Sequence, residues 1–303
     1  LADGHQSIAI LAASALGLVL HRGLPSAKIH AQGIAETLIK NLRESPTKPK
    51  MVAQSLSVVT GLLNDRHLMP SLPPQLAKNV VGLCTSQLSA ASPAPGTFEL
   101  LRAVVERKTV LAEVYGAIER ASELSVTSPS SALRTQCAKL VIAFMVTYPL
   151  TDGHRKKQLD FYVKNLGYSL LDGRRAVLDM LATLFTKLPE AEISEKAEFF
   201  LLPLVARLID EDDSSARKAV AMVIKTLFTV VDDPHADSIF SLTLEWLEHK
   251  SKPKVRRAAF QLLSLFADAS GSKFTKKYSS VLPHLNDVLS TASSAPSSSS
   301  SSS

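Results

Sequence analysis

Ala216, Ala219, Val220, Val223, Ile224 and Leu227 lie at offsets 0, 3, 4, 7, 8 and 11 along the chain. With 3.6 residues per turn, all six fall on one face of a helix. The same template fits Val255, Ala258, Ala259, Leu262, Leu263 and Phe266, and again Gly173, Ala176, Val177, Met180, Leu181 and Leu184. A fourth copy is Leu133, Gln136, Cys137, Leu140, Val141 and Phe144, in which Gln136 is the one polar residue at a covered position. Offset 1 is arginine in all four: Arg134, Arg174, Arg217 and Arg256. Weaker copies begin at Ile8, Val52 and Ala94, where Ser55, Thr60 and Arg102 interrupt the face. The starts at 8, 52, 94, 133, 173, 216 and 255 are separated by 44, 42, 39, 40, 43 and 39 residues. A unit of about 40 to 47 residues belongs to the HEAT/armadillo class of repeat.

Each unit carries a first helix ahead of the templated one. The clearest spans Glu195 to Ile209, with Phe199, Leu202, Val205, Leu208 and Ile209 on one side. The run Asp210 to Asp213 and Ser214 then caps the next helix, because unpaired N–H groups at a helix start favour acidic neighbours. In the last unit Ile239 to Leu247 is the first helix, Lys250 to Lys254 the turn, and Pro253 stands where a missing N–H does no harm. No alternating strand pattern competes. The predicted fold is therefore all-α: a HEAT/armadillo-like α-solenoid of about seven helical pairs over residues 1–289, stacked as a right-handed superhelix. Residues 290–303, ten of them Ser, cannot bury enough surface to fold and are predicted to be disordered.

Composition agrees with an aliphatic helical core: hydrophobic residues make up 46% of the 303 and aromatics 6%, with Trp246 the one tryptophan. Cys84 and Cys137 sit inside apolar helical patterns, the place for buried free thiols, and a reducing compartment follows from the lack of a disulfide or zinc spacing. The longest apolar run, Ile8 to Leu20, is 13 residues, short of the roughly 18 of a membrane span. It reads as a buried helix. The chain opens on Leu1 with no initiator Met or basic n-region, so the run is not taken for a signal peptide, and the chain reads as a piece of something longer.

The net charge of +6 is unevenly spread. From His249 to Lys277 stand Lys250, Lys252, Lys254, Arg256, Arg257, Lys273, Lys276 and Lys277 against Asp268 alone, while Glu190 to Asp213 holds eight acids against Lys196 and Arg207. A basic end can neutralise phosphates without reading sequence. The plainer reading is a solvated helix face. Stacking partners for bases are scarce, since Phe260 and Phe266 lie on or beside the packed side and Phe274 and Tyr278 precede the final helix, so base-specific recognition is not expected. The repeat-position arginines Arg134, Arg174, Arg217 and Arg256 form either a binding track or, by the simpler account, structural bonds to an aspartate or carbonyl of the adjacent unit.

No motif for chemistry emerges. Phosphate-binding, dinucleotide, zinc-protease and nucleophile-elbow signatures are all missing, and His5, His21, His30, His67, His154, His235, His249 and His284 are scattered singly. Asp152-Gly153-His154 reads as a turn, and Asp210 to Asp213 lacks the Gly and distal Glu of a calcium loop. Catalytic residues, cofactors, metal ligands, a small-molecule substrate and membrane contact are accordingly not expected.

Several segments taken in order carry a family resemblance. They are Leu133-Arg134-Thr135-Gln136-Cys137, Tyr148-Pro149-Leu150, Leu159-Asp160-Phe161, Asn165-Leu166-Gly167-Tyr168, Gly173-Arg174 with Val177-Leu178-Asp179-Met180-Leu181, Phe199-Phe200-Leu201-Leu202-Pro203-Leu204, and Asp212-Asp213-Ser214 followed by Lys218. Their order and spacing resemble the DRIM (down-regulated in metastasis) family, very large HEAT-repeat proteins also called U-three-associated protein twenty. The likeness is strongest over 129–228 and extends from about 24 to 289. It implies a non-enzymatic nucleolar scaffold of the small-subunit processome, with other processome proteins, precursor ribosomal RNA and the U-three small nucleolar RNP as partners. The polyserine end departs from the family, whose solenoid should continue there. The alternative is a protein-only HEAT adaptor of the transport-receptor or phosphatase-scaffold type.

Overall fold

The computed structural model describes residues 8, 11, 12, 14–19, 22, 25–44, 49–90 and 92–293. It divides into two compact units, Leu1–Asn165 and Leu166–Ser303. In the first unit the helices are α1 (Pro25–Glu44), α2 (Pro49–Asn64), α3 (Pro74–Leu88), α4 (Thr97–Glu106), α5 (Ala112–Thr127), α6 (Ser131–Thr147) and α7 (Asp152–Lys164). Helices α1, α3, α5 and α7 pack side by side as one row, and α2, α4 and α6 as a second row behind them. The second unit holds α8 (Leu171–Lys187), α9 (Glu190–Glu195), α10 (Ala197–Asp210), α11 (Ser214–Val230), α12 (Asp233–Glu248), α13 (Pro253–Ser270), α14 (Ser272–Thr275) and α15 (Tyr278–Ser293). There α8, α11 and α13 pack in a row, with α10 and α12 against it and α15 beside α12. Each unit is thus a series of helical pairs in two layers, and the described residues form no strand.

The repeat template marks the buried row. Cys137, Leu140, Val141 and Phe144 of α6 are buried, as are Val177, Met180, Leu181 and Leu184 of α8. So are Val220, Val223, Ile224 and Leu227 of α11 and Ala258, Ala259, Leu262, Leu263 and Phe266 of α13. Side-chain caps set where several helices begin. Ser130 accepts from the Leu133 N–H, Thr151 from His154, Asp213 from Ala216 and Asp232 from His235. Pro253 opens α13, where its missing N–H leaves nothing unpaired. Gly96, just before α4, takes a φ of 91°, and a Cβ there would meet the Leu56 Cβ at 3.3 Å, so both backbone and space call for glycine.

Four expectations change. The start at Ala94 lies in a turn: α4 begins at Thr97, and its buried face is Thr97, Leu100, Leu101, Val104 and Val105, one residue out of step with the template. The helix expected from Glu195 is interrupted at Lys196, separating α9 from α10. Its buried face is Phe200, Leu201, Leu204, Val205 and Leu208, whereas Leu202 is 48% exposed. Strides of three residues fall about 60° short of a turn each time, so the series 199, 202, 205 wanders off the face that 200, 204, 208 follows. Third, the Ile8 to Leu20 segment is helical at its described residues but not buried: Ile8 is 64%, Leu11 69% and Leu18 70% exposed. It meets α2 across a cleft of about 340 Å³ lined by Gly17, Ser57, Val58, Gly61 and Leu62, and a stacked helix hides only the side its neighbour covers. Finally, α15 begins at Tyr278 and runs through Ser293, taking in the first four residues of the Ser-rich stretch; residues 294–303 lie outside the described residues.

Candidate nucleic-acid interface

The repeat-position arginines share a geometry that follows from their place one step into the second helix. Arg134 Nη1 donates to the carbonyls of Ser128 (2.8 Å) and Pro129 (3.2 Å). Arg174 Nη1 donates to those of Tyr168 and Ser169, both at 3.0 Å. Arg217 Nε donates to the carbonyl of Glu211 at 2.9 Å. In each case the guanidinium reaches back six residues to a carbonyl of the preceding turn, one that no helix can satisfy. Arg256 instead pairs with the Asp287 carboxylate of α15. Arg107, at the end of α4, performs the same service without belonging to the template, donating to the carbonyls of Leu63, Asp65 and Pro70. Sequence offers no pattern that would have marked it, because its acceptors lie 37 to 44 residues away.

Glu211 is where these bonds converge. Its side chain is 1% exposed, and Arg174 grips it with two parallel bonds of 2.8 and 2.9 Å. Arg207 approaches to 3.2 Å, and the Asp213 N–H donates to the same carboxylate. Burial pulls the carboxyl upward, but the Arg174 bonds, the Asp213 N–H and the two nearby positive charges outweigh it and hold Glu211 below the usual carboxylate range. In sequence it is one acid among four consecutive ones, and nothing there distinguishes it from its exposed neighbour Asp212.

The basic end is partly neutralised by tertiary contacts. Lys250 Nζ bonds Asp287 at 2.9 Å, beside Arg256 on the same carboxylate, and the two together hold Asp287 below its ordinary range. Lys277 bonds Asp237 and lies over the rings of Phe240 (4.8 Å) and Phe266 (5.4 Å). Lys252, Lys254, Arg257 and Lys276 are exposed, with no acidic partner among the described residues. The Lys273 side chain lies outside the described ones. Of the seven cations whose side chains are described, the fold therefore leaves four facing solvent uncompensated. Most aromatic rings nearby are packed away, Phe266 and Phe240 being buried and Phe274 packed against both, while Tyr278, two residues past Lys276, is 48% exposed.

Other reactive groups are scattered. Cys84 and Cys137 are free and buried, and burial pushes both thiols up to about 12. His154 stacks on Tyr115 and bonds the Thr151 hydroxyl, while His235 bonds Asp232. Among the described residues no group of three His, Cys, Asp or Glu could hold a metal ion, and no helix is long and apolar enough to cross a membrane.

No family model matches the chain. It is 28% identical over 193 residues to U3 small nucleolar RNA-associated protein 20 of Schizosaccharomyces pombe, a match covering 61% of this chain and 8% of that protein. Against the protein of the same name from Saccharomyces cerevisiae it is 22% identical over 242 residues, covering 80% of this chain and 10% of the relative. The chain thus corresponds to no more than about a tenth of the relatives it matches. Solved structures of Kap121p share the fold: the one bound to Ste12p has a TM-score of 0.58 over 95% of this chain and 30% of its own, at 14% identity. That of the karyopherin bound to the SUMO protease Ulp1p has 0.56 over 95% of this chain and 30% of its own, at 15% identity. The fold is an all-α, HEAT-like helical repeat.

Proposed function

We propose, from the membership of this chain in the DRIM family of U3 small nucleolar RNA-associated proteins, that it is a non-catalytic scaffold segment supporting small ribosomal subunit assembly in the nucleolus. The stacked helices of each unit present surface to other processome proteins, and the uncompensated cations meet precursor ribosomal RNA or the U3 RNP through their phosphates. The observation that carries this reading is the pairing of sequence kinship with a surface on which Lys252, Lys254, Arg257 and Lys276 lack acidic partners. A repeat scaffold needs no reaction centre, since extended complementary surface is what stacked helices supply.

The test is crosslinking of the native full-length protein in cells, followed by identification of the bound RNA and of the particle with which it sediments. Co-sedimentation with precursor small-subunit particles and crosslinks within residues 250–277 are expected. A cytoplasmic or shuttling protein that brings down no RNA would overturn the reading in favour of a protein-only adaptor.

A further inference from the structure

The three second-row helices of the last unit carry a cationic row that the repeat arithmetic did not single out. Two residues into each template stand Arg175 on α8, Lys218 on α11 and Arg257 on α13, all exposed. The helices run in the same direction. Arg175 at the start of α8 bonds Ser215 at the start of α11, and Lys225, further along α11, reaches Asp268 near the end of α13 at 3.3 Å. Equivalent residues therefore line up across adjoining helices, at the spacing of about 8 to 10 Å set by helix packing. Where α13 meets α10 and α11, Arg257 of this row and Lys254 line a cleft of about 140 Å³ together with Leu208, Ile209, Arg217 and Gln261. No acid lines it. Lys218, Lys254 and Arg257 have no acidic partner among the described residues, whereas Arg175 lies 3.5 Å from Asp213 and is followed by Asp179 one turn on. The cations without an acidic partner are accordingly on the α11–α13 side.

We propose that Lys218, Lys254 and Arg257 form a phosphodiester-binding track for single-stranded RNA, with Arg175 as its weaker end. The proposal rests on the RNA contact put forward above and gives it a place different from the basic segment as a whole. Unpaired cations on two adjoining helices, Lys218 on α11 and Lys254 with Arg257 on α13, suit a ligand that carries several charges along its length, which a single phosphorylated side chain does not. The cleft has no aromatic wall, so bases are neither stacked nor read, and affinity should be sequence-tolerant and steeply dependent on salt. Lys250 and Lys277 are excluded because Asp287 and Asp237 already occupy them.

The experiment measures binding of the 303-residue chain to fluorescent oligouridine of about 20 nucleotides by anisotropy, between about 50 and about 200 mM salt. The variant K218Q/K254Q/R257Q should bind at least tenfold more weakly, and the slope of log affinity against log salt should fall by about 2, since each cation released contributes about 0.7 on a single strand. The control K250Q/K277Q should change both by far less, and K218R/K254R should restore the wild-type slope. An unchanged thermal melt shows that the triple variant is folded; if it melts early, the single charge reversals K218E and R257E replace it. No binding by wild type at low salt, or an equal loss in the control, overturns the track. Failure of particle co-sedimentation with RNA binding intact would instead count against the processome reading alone.

Discussion

The two units solve the same joint in different chemical terms. In the first, exposed Lys78–Glu113 and Lys157–Glu119 pairs aside, the buried ties between neighbouring pairs are neutral: Ser122 Oγ bonds Gln158 Oε1 at 2.8 Å, Ser125 Oγ meets the Tyr162 hydroxyl at 3.1 Å, and the Tyr148 hydroxyl bridges the Thr109 carbonyl and Leu111 N–H. In the second, neighbours are tied by charge, through Arg174 to Glu211 and through Arg256 and Lys250 to Asp287. A repeat thus tolerates either kind of linkage, provided each buried polar atom finds its partner. The difference lies in how each joint fails.

Removing Arg174 sets the contrast most sharply. Arg174→Ala leaves the buried Glu211 with Arg207 and the Asp213 N–H and should cost about 3 kcal/mol. Arg134→Ala, which frees the carbonyls of Ser128 and Pro129, should cost about 1 kcal/mol. Denaturant melts of both variants decide it, and equal losses would erase the distinction.

Acid should break the same joint without mutation. Because the folded-state pKa of Glu211 is depressed, its contribution is fully present above the unfolded value of about 4.3 and is lost as pH falls through the lower folded value. Arg174→Ala should flatten that dependence. The readout is convenient, since Trp246 is the one tryptophan and sits in the second unit. If its fluorescence follows the same acid profile with and without Arg174, Glu211 is not the titrating group.

In the first unit, Tyr162→Phe deletes a hydroxyl whose ring remains fully buried, and the loss should be about 1 kcal/mol with no change in acid sensitivity. A marked shift in the acid profile would show that this joint also depends on ionisation. The smallest effect is a null one on stability. Cys84 and Cys137, with thiols pushed up to about 12, should resist a disulfide reagent at neutral pH until the first unit opens. Fast labelling in the native protein would contradict their burial.

How far these features can be read in advance depends on the range over which they act. The template at 133, 173, 216 and 255 located the covered faces of α6, α8, α11 and α13, because a helix face is written in neighbours within eleven residues. It slipped by one residue on α4, where Thr97 and Phe98 both suited the pattern and only packing sent Thr97 inward. The basic segment was equally visible as a run of charge. That Lys250 and Arg256 share Asp287, and that Lys277 lies on Phe240 beside Asp237, was not visible, since those partners are 31 to 40 residues off.

Sequence alone determined that this chain is a helical repeat, which faces are apolar and where arginine recurs, because these depend on periodicity and local turn chemistry. Only the tertiary structure decided which charges are spent on neighbours and which stay free. Arg174 is committed to Glu211, while Lys218 on α11 and Lys254 and Arg257 on the adjoining α13 keep their charge exposed. Stacking brings residues about forty positions apart into contact, and a carboxylate at that range either quenches a cation or leaves its field to solvent.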